Sequence, residues 1–391
     1  MAREEKRPLL QVEGLSVAFG WGENEKRVVD AVSFAIEPGE KWALVGESGS
    51  GKSVTAAAIL RLHDPHSCHY PQGAIHFCGE DLLRLDEEEM RRRRGNEIAM
   101  IFQEPMSALN PLYTIGDQLR EPLRLHRQLG PQAAEQRAIE MLERVGIPEP
   151  QRRLRDYPHQ LSGGQLQRVM IAMALACQPR LLIADEPTTA LDVTIQIQIL
   201  ELLDQLQREE GMAVLLISHD LNLVHHFAHN IAVMERGKIV EQGARDHLFH
   251  QPQHPYTQRL IASEPQPLST ARERYQEAAP LLRAENIRCH FQLRGEGLWR
   301  RRKARFTAVD GVSLQLHPGE TLGIVGESGS GKTTLGMSLL CLQQSEGEIL
   351  FDGRSLQGLK QGQLRPLRRH FQVVFQDPFS SLSPRMTVES I

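Results

Sequence analysis

Paired cysteines, an excess of basic charge and apolar runs of membrane length are missing from this sequence, and each absence removes a class of function. The five cysteines, Cys68, Cys78, Cys177, Cys289 and Cys341, are scattered, with no C-x-x-C among them. A reduced, cytosolic compartment is expected. With 45 Lys+Arg against 49 Asp+Glu the formal net charge is −4. A nucleic-acid partner, which ordinarily meets a strongly basic domain, is therefore not expected. The RRRR at 91–94 follows DEEE at 86–89, so a helix there would pair Glu87 with Arg91 and Glu88 with Arg92 and neutralise itself. The longest apolar stretches, such as VMIAMALAC at 169–177, are far short of a membrane span, and the charged MAREEKRPLL at the start has no apolar segment behind it. Nothing in the sequence enters a bilayer unaided.

What is present, in 391 residues that are 40% apolar, is a repeat. DAVSF at 30–34 returns as DGVSL at 310–314, and GESGSGKS at 46–53 returns as GESGSGKT at 326–333. FQEPMSALNP at 102–111 returns as FQDPFSSLSP at 375–384. A spacing of 280 residues, shrinking to 273, is far too long for a solenoid, so each copy is a domain. The first copy is expected over residues 8–262. A joint rich in Pro, Glu and Ala fills 263–280, and the second copy occupies 281–391. That copy is expected to be incomplete, stopping before any counterpart to residues beyond about 118 of the first. Continuous apolar runs, KWALV at 41–45, RLLIAD at 180–185 and AVLLIS at 213–218, alternate with helical patterns such as IQIQILELLDQLQ at 195–207. An α/β protein with buried parallel strands is predicted, in tandem duplication.

GESGSGKS fits G-x-x-x-x-G-K-[ST] and lies between a strand-like run and a helical one, where a phosphate loop has to be. Its glycines let successive backbone N–H groups turn inward, and the following helix adds its positive end. Gly46, Glu47, Ser48, Gly49, Ser50, Gly51, Lys52 and Ser53 are thus candidate nucleotide contacts, Lys52 for the β and γ phosphates and Ser53 for Mg²⁺. LLIADE at 181–186 ends an apolar strand in Asp185, a candidate Mg²⁺ partner, with Glu186 next to it to polarise an attacking water. LSGGQ at 161–165 opens another helical pattern, so Ser162, Gly163, Gly164 and Gln165 form a second anion site. One nucleotide in one domain has no need of two such helix ends. The surplus implies ATP shared between two domains.

In this order, the cradle, Gln103, LSGGQ, LLIADE, the ALD at 190–192 and His219 after a strand resemble the nucleotide-binding domain of ABC transporters. The likeness covers residues 8–262 and the front of the second copy, and it implies the P-loop NTPase fold of the ABC type with a helical subdomain. It also implies that Gln103 senses γ-phosphate and Mg²⁺, that Asp192 lies in the loop crossing the dimer interface, and that His219 is the γ-phosphate switch. An aromatic upstream of the cradle stacks on adenine in this family, and Phe19 and Phe291 are the matching positions. In the second copy Gly326, Glu327, Ser328, Gly329, Ser330, Gly331, Lys332 and Thr333 repeat the cradle, and Gln376 repeats Gln103. Thr333 and Gln376 are the corresponding Mg²⁺ candidates.

QPQHPYTQRLIASEP at 251–265 resembles the C-terminal extension of ATPases serving oligopeptide, dipeptide and nickel importers. A fusion of two such domains resembles the single-chain ATPases of peptide importers of the microcin C and glutathione types. The resemblance implies ATP and Mg²⁺ as ligands and two membrane permease subunits and an extracytoplasmic solute-binding protein as partners. It further implies peripheral association with the cytoplasmic face of the inner membrane, and pairing between cassettes of one chain or of two. Each ATP is expected between a cradle and an opposing LSGGQ, and residues 1–391 contain only one LSGGQ. The second copy is expected to be incompletely packed. No iron–sulfur cluster is expected, and HDPHSCHY at 63–70 and His225 with His229 read as loop and helix surface rather than zinc sites. Two other readings stay open: a soluble twin ABC ATPase acting on ribosomes or DNA, and an ATP-binding remnant without transport.

Overall fold

The computed structural model describes residues 8–188, 191–263, 279–293, 304–327, 329–375 and 381–391. Two units are distinct, Met1–Pro265 and Gln266–Ile391. Of the expected joint, residues 264–278 lie outside the described ones.

The first unit opens with β1 (Leu10–Phe19), β2 (Lys26–Ile36) and β3 (Lys41–Val45), and α1 (Lys52–Ile59) follows the cradle. Next come β4 (Cys68–Phe77), β5 (Glu80–Asp81), α2 (Glu87–Arg93) and β6 (Ile98–Ile101). A helical stretch then runs through α3 (Pro105–Ala108), α4 (Ile115–His126), α5 (Pro131–Arg144), α6 (Pro150–Arg153) and α7 (Gly163–Leu175). The chain returns to the sheet with β7 (Leu181–Asp185), α8 (Val193–Glu210), β8 (Ala213–Ser218), α9 (Leu221–Phe227), β9 (Asn230–Glu235) and β10 (Lys238–Ala244). It closes with α10 (Arg245–His250) and α11 (Pro255–Ala262).

Two sheets result, an antiparallel one in the order β2-β1-β4-β5 and a six-stranded one in the order β10-β9-β3-β8-β7-β6. In the second, β3, β6, β7, β8 and β9 are parallel, with Val45 opposite Ser218 and Asp185 opposite Ile217. Every residue of β3, β7 and β8 is buried. Alternate side chains serve different cores: Ala43, Val45, Leu182, Ala184, Val214 and Leu216 pack with the helical stretch, whereas Trp42, Leu44, Leu181, Ile183, Leu215 and Ile217 pack with the antiparallel sheet. Both faces are covered, which is why these strands read as unbroken apolar runs. Because they are parallel, their carboxyl ends lie on one edge, where open α/β sheets bind ligands.

Helix α2 forms as its charges predict, with Asp86 and Glu89 as a capping box and Glu88 paired with Arg92. Glu87, however, pairs with Arg94 rather than Arg91. The chain leaves the helix at Arg94, whose guanidinium turns back to the carbonyls of Leu60 and Arg61 and meets Glu87 on the way.

The second unit repeats the antiparallel layout, with β11 (Leu282–Leu293), β12 (Ala304–Leu316), β13 (Glu346–Phe351) and β14 (Arg354–Ser355) in the order β12-β11-β13-β14. Helix α12 (Lys332–Leu339) follows its cradle, and Leu335 and Leu339 join Ile287, Cys289, Val309 and Ile349 in a small core. The segment TLGIV at 321–325 parallels KWALV in sequence, but it belongs to no described strand. Val325 is 92% exposed, against 0% for Val45. A strand requires ladder partners on its flanks, and none of the described residues of this unit supplies one. Hydrogen exchange should therefore read the two segments in opposite ways. Amides at 321–325 are expected to exchange within seconds and those at 41–45 to be protected for hours, so slow exchange at both would refute the difference.

Candidate nucleotide site

The phosphate loop is shaped by its glycines and by what surrounds it. Gly46, Gly49 and Gly51 adopt φ of 150°, 79° and 104°, and Gly51 caps the start of α1. Gly46 could be nothing else, since a Cβ there would lie 2.1 Å from the Met234 carbonyl oxygen. The loop rests on the β9–β10 turn, where the Gly237 N–H donates to the Ser50 carbonyl at 2.9 Å. Lys52 is buried, and its ammonium donates to the carbonyls of Gly46 and Glu47, 2.8 Å each. Burial pulls its pKa below the ordinary lysine value, and the charges of Glu186 and Asp185 oppose that shift.

The carboxyl ends of β7 and β8 deliver the acidic side of the site. Ser53 Oγ donates to Asp185 Oδ1 at 2.9 Å, bringing the two predicted Mg²⁺ partners together. Burial raises the Asp185 pKa, against the Ser53 hydrogen bond and the Lys52 charge. Glu186 takes φ +45°, with its N–H donating to the Ile217 carbonyl at 2.9 Å. One carboxylate oxygen accepts from Gln103 Nε2 at 2.8 Å and the other lies 3.0 Å from His219 Nδ1. Five residues named from sequence, spread over positions 53 to 219, therefore meet in two hydrogen-bonded groups at one sheet edge.

LSGGQ forms a helix start, as expected, and its cap is reciprocal. Ser162 Oγ accepts from the Gln165 N–H while the Ser162 N–H donates to Gln165 Oε1 at 3.1 Å. Gly163 and Gly164 are then the first helical residues of α7. The S-x-x-Q spacing carried this capping box in plain sight. Asp192 caps α8, accepting from the Ile195 N–H at 2.9 Å. Phe19, half buried at the end of β1, packs edge-on to His63 at 5.4 Å, and His63 Nε2 lies 2.9 Å from the Val54 carbonyl in the first turn of α1. The remaining histidines of HDPHSCHY have other contacts: His69 stacks on Trp21 at 4.3 Å and the His66 carbonyl accepts from the Trp21 indole. His225 sits in α9 against Phe249, while His229 lies beyond the helix beside the Lys41 N–H, so the two do not share a face.

In the second unit the cradle has the same local form. Gly326, Gly329 and Gly331 take φ of 156°, 80° and 94°, and Lys332 Nζ donates to the carbonyls of Gly326 and Glu327 at 2.6 and 2.7 Å. Ser330 and Thr333 are exposed, and Phe291 is 38% exposed on β11. Ser328 and Gln376 lie outside the described residues.

Sequence reasoning missed one element of the site. The HPYT stretch, which the sequence marks only by its resemblance to an importer extension, brings the Tyr256 hydroxyl within 3.0 Å of the Glu47 N–H, across 209 residues. No local pattern signals a contact that distant.

Cradle, paired carboxylates, histidine and signature helix, on a sheet with a helical stretch between β6 and β7, define an ATP-binding cassette. A family model described as ABC transporter matches residues 29–189 and 309–391, and the chain belongs to that family, whose ATP-binding proteins are ATPases coupled to transport. A second model, described as oligopeptide/dipeptide transporter, C-terminal region, matches residues 240–296 and marks the type. Among relatives, the peptidoglycan transport ATP-binding protein YejF of Agrobacterium fabrum is 52% identical over 394 residues, covering 100% of this chain and 71% of that protein. The glutathione import ATP-binding protein GsiA of Salmonella choleraesuis is 47% identical over 420 residues, covering 98% of this chain and 66% of that protein. Of solved structures, the dimeric post-hydrolysis state of the ATP-binding cassette MJ0796 bound to ADP and Pi aligns with a TM-score of 0.55 at 30% identity, over 60% of this chain and 98% of that one. The cbiO1 protein of Clostridium perfringens, part of the ABC transporter complex cbiONQ, aligns at 0.53 and 26% identity, over 62% and 91%.

Proposed function

We propose that the chain hydrolyses ATP to power import of peptides or peptide-like solutes, as a peripheral subunit on the cytoplasmic side of a membrane transporter. The observation that carries the ATPase is the meeting of Gln103 and His219 on the two oxygens of Glu186, beside the Ser53–Asp185 pair. The match of residues 240–296 to the oligopeptide/dipeptide transporter region, and relatives named for peptidoglycan and glutathione transport, support the solute class. The two cradles, each with lysine folded onto its own loop carbonyls, support a tandem of cassettes over 8–262 and 281–391 joined through 263–280. Among the described residues no helix is long and apolar enough to cross a membrane, so permease subunits would form the path and an external solute-binding protein would choose the cargo.

Within the site, Lys52 would leave the Gly46 and Glu47 carbonyls for the β and γ phosphates, which the inward N–H groups of the loop surround. Glu186 would take a proton from the attacking water, while Gln103 and His219 hold its carboxylate in place and His219 reaches the γ-phosphate. Ser53, Asp185 and Gln103 offer only hard oxygen donors through hydroxyl, carboxylate and amide, a set that fits Mg²⁺. When bound, that ion neutralises charge on the phosphate oxygens. The opposing surface would be the LSGGQ helix end of a partner cassette, and the dimeric MJ0796 cassette supports pairing of this kind. The exposed apolar side chains Met106, Leu112, Tyr113 and Leu125 of the helical stretch are the surface through which cassette closure would push on the permease.

Phosphate release and membrane association, measured on one preparation, test this reading. Permease subunits should co-elute with the chain from detergent-solubilised membranes, and the eluate should split ATP. A chain that splits ATP but elutes free of membrane proteins belongs with the soluble twin ATPases, and one that does neither is a remnant.

A further inference from the structure

The chemistry above makes no use of the HPYT stretch, yet its tyrosine is seated against the phosphate loop. Tyr256 is 4% exposed, and its hydroxyl oxygen accepts the Glu47 N–H at 3.0 Å. The carbonyl of the same residue, Glu47, accepts from Lys52 Nζ at 2.8 Å. One residue of the loop is therefore gripped on its N–H by the extension and on its carbonyl by the phosphate-binding lysine.

The tyrosine is held firmly in turn. Pro255 opens α11, and His254 Nδ1 accepts the Tyr256 N–H at 3.2 Å. The N–H groups of Gln253 and His254 both donate to the Glu241 carboxylate on β10, at 2.8 and 3.0 Å. Burial acts to raise the Glu241 pKa, but these donors overcome it and hold the carboxyl below its ordinary value. A continuous line of hydrogen bonds thus runs from β10 through the turn at 253–254 and the Tyr256 ring to the loop. We propose that Tyr256 is a positioning residue for nucleotide binding: through the Glu47 N–H it fixes the loop in its phosphate-ready shape, so the C-terminal extension is a working part of the ATP site. The physical reason is preorganisation. Loop N–H groups favour phosphate only if they already converge, and a loop that must reorder on binding loses affinity.

The proposal rests on the loop at 46–53 holding phosphate, and the test separates the two ideas. ATP is titrated into the full chain, and the KM and kcat of phosphate release are measured alongside. Tyr256→Phe keeps the ring and removes only the acceptor, so dissociation constant and KM should rise about fivefold, the usual weight of one hydrogen bond, with kcat at saturating ATP unchanged and cooperative unfolding retained. Glu241→Ala, which touches no nucleotide, should raise the dissociation constant in the same way, and the double variant should be no weaker than Tyr256→Phe alone because both act through one contact. Equal affinity in wild type and Tyr256→Phe, or a fall in kcat with affinity unchanged, overturns the role of the tyrosine. Effects of the two variants that multiply overturn the line through Glu241. A wild-type chain that binds no ATP removes the phosphate reading and this proposal together.

Discussion

Glu186→Gln is expected to lower ATP turnover by about 100-fold or more while leaving ATP affinity within about threefold of wild type. The amide has the shape of the carboxylate and can still accept from Gln103, now 2.8 Å away, so the site keeps its form. What it loses is the ability to take a proton from water. The backbone at this position is already committed, at φ +45° with the N–H tied to the Ile217 carbonyl, and the substitution does not alter that. Single-turnover phosphate release, set beside equilibrium ATP binding on the same samples, separates the two quantities. Release at a near-normal rate would mean that the base lies elsewhere.

The second large effect is expected at Gly46. Alanine there must hold φ near +150° and place its methyl 2.1 Å from the Met234 carbonyl oxygen and 3.0 Å from Ser50 Oγ. The first obstacle is the backbone of buried Met234, held in β9 between β10 and β3, which cannot step aside, and a loss of about 3 kcal/mol or more is expected, with ATP binding abolished. Gly49 is the control. It too has positive φ, 79°, but its missing Cβ would meet nothing within 4 Å, so alanine there should cost only about 1 to 2 kcal/mol. Urea unfolding of the full chain carrying each substitution measures both. Equal losses at the two positions would show that backbone conformation, not the collision with Met234, is what selects glycine.

How much of this was legible beforehand depends on the range over which each feature is specified. KWALV, LLIAD and AVLLIS became β3, β7 and β8 because a strand covered on both faces has to be apolar throughout, a local requirement. Motif order prepared the meeting of Ser53 with Asp185 and of Glu186 with Gln103 and His219: Asp185 ends β7, Gln103, Glu186 and His219 stand one or two residues past β6, β7 and β8, Ser53 follows β3 through the cradle, and these strands end on one edge. Helix α1 stops at Ile59, although the helical run after the cradle, SVTAAAILRL, extends over 53–62, because Arg61 turns to φ +49° and periodicity says nothing of that. TLGIV has the composition of a strand but no ladder in the described residues, since pairing is decided by neighbours and not by the segment itself. The Tyr256–Glu47 contact was invisible for the same reason, being made between residues that only the finished sheet brings together.

The position of β3 between β8 and β9 also sets a schedule for biosynthesis. The strand that feeds the cradle is among the earliest to leave the ribosome, but its lateral partners at 213–218 and 230–235 are among the last of the first unit. Closing so long a span is entropically slow, and contacts this distant in sequence make for late, high-contact-order folding. A nascent chain that had emerged only as far as LSGGQ would carry its phosphate motif on an apolar segment whose lateral partners are still to come, and the loop would take its shape only once those strands had closed around it.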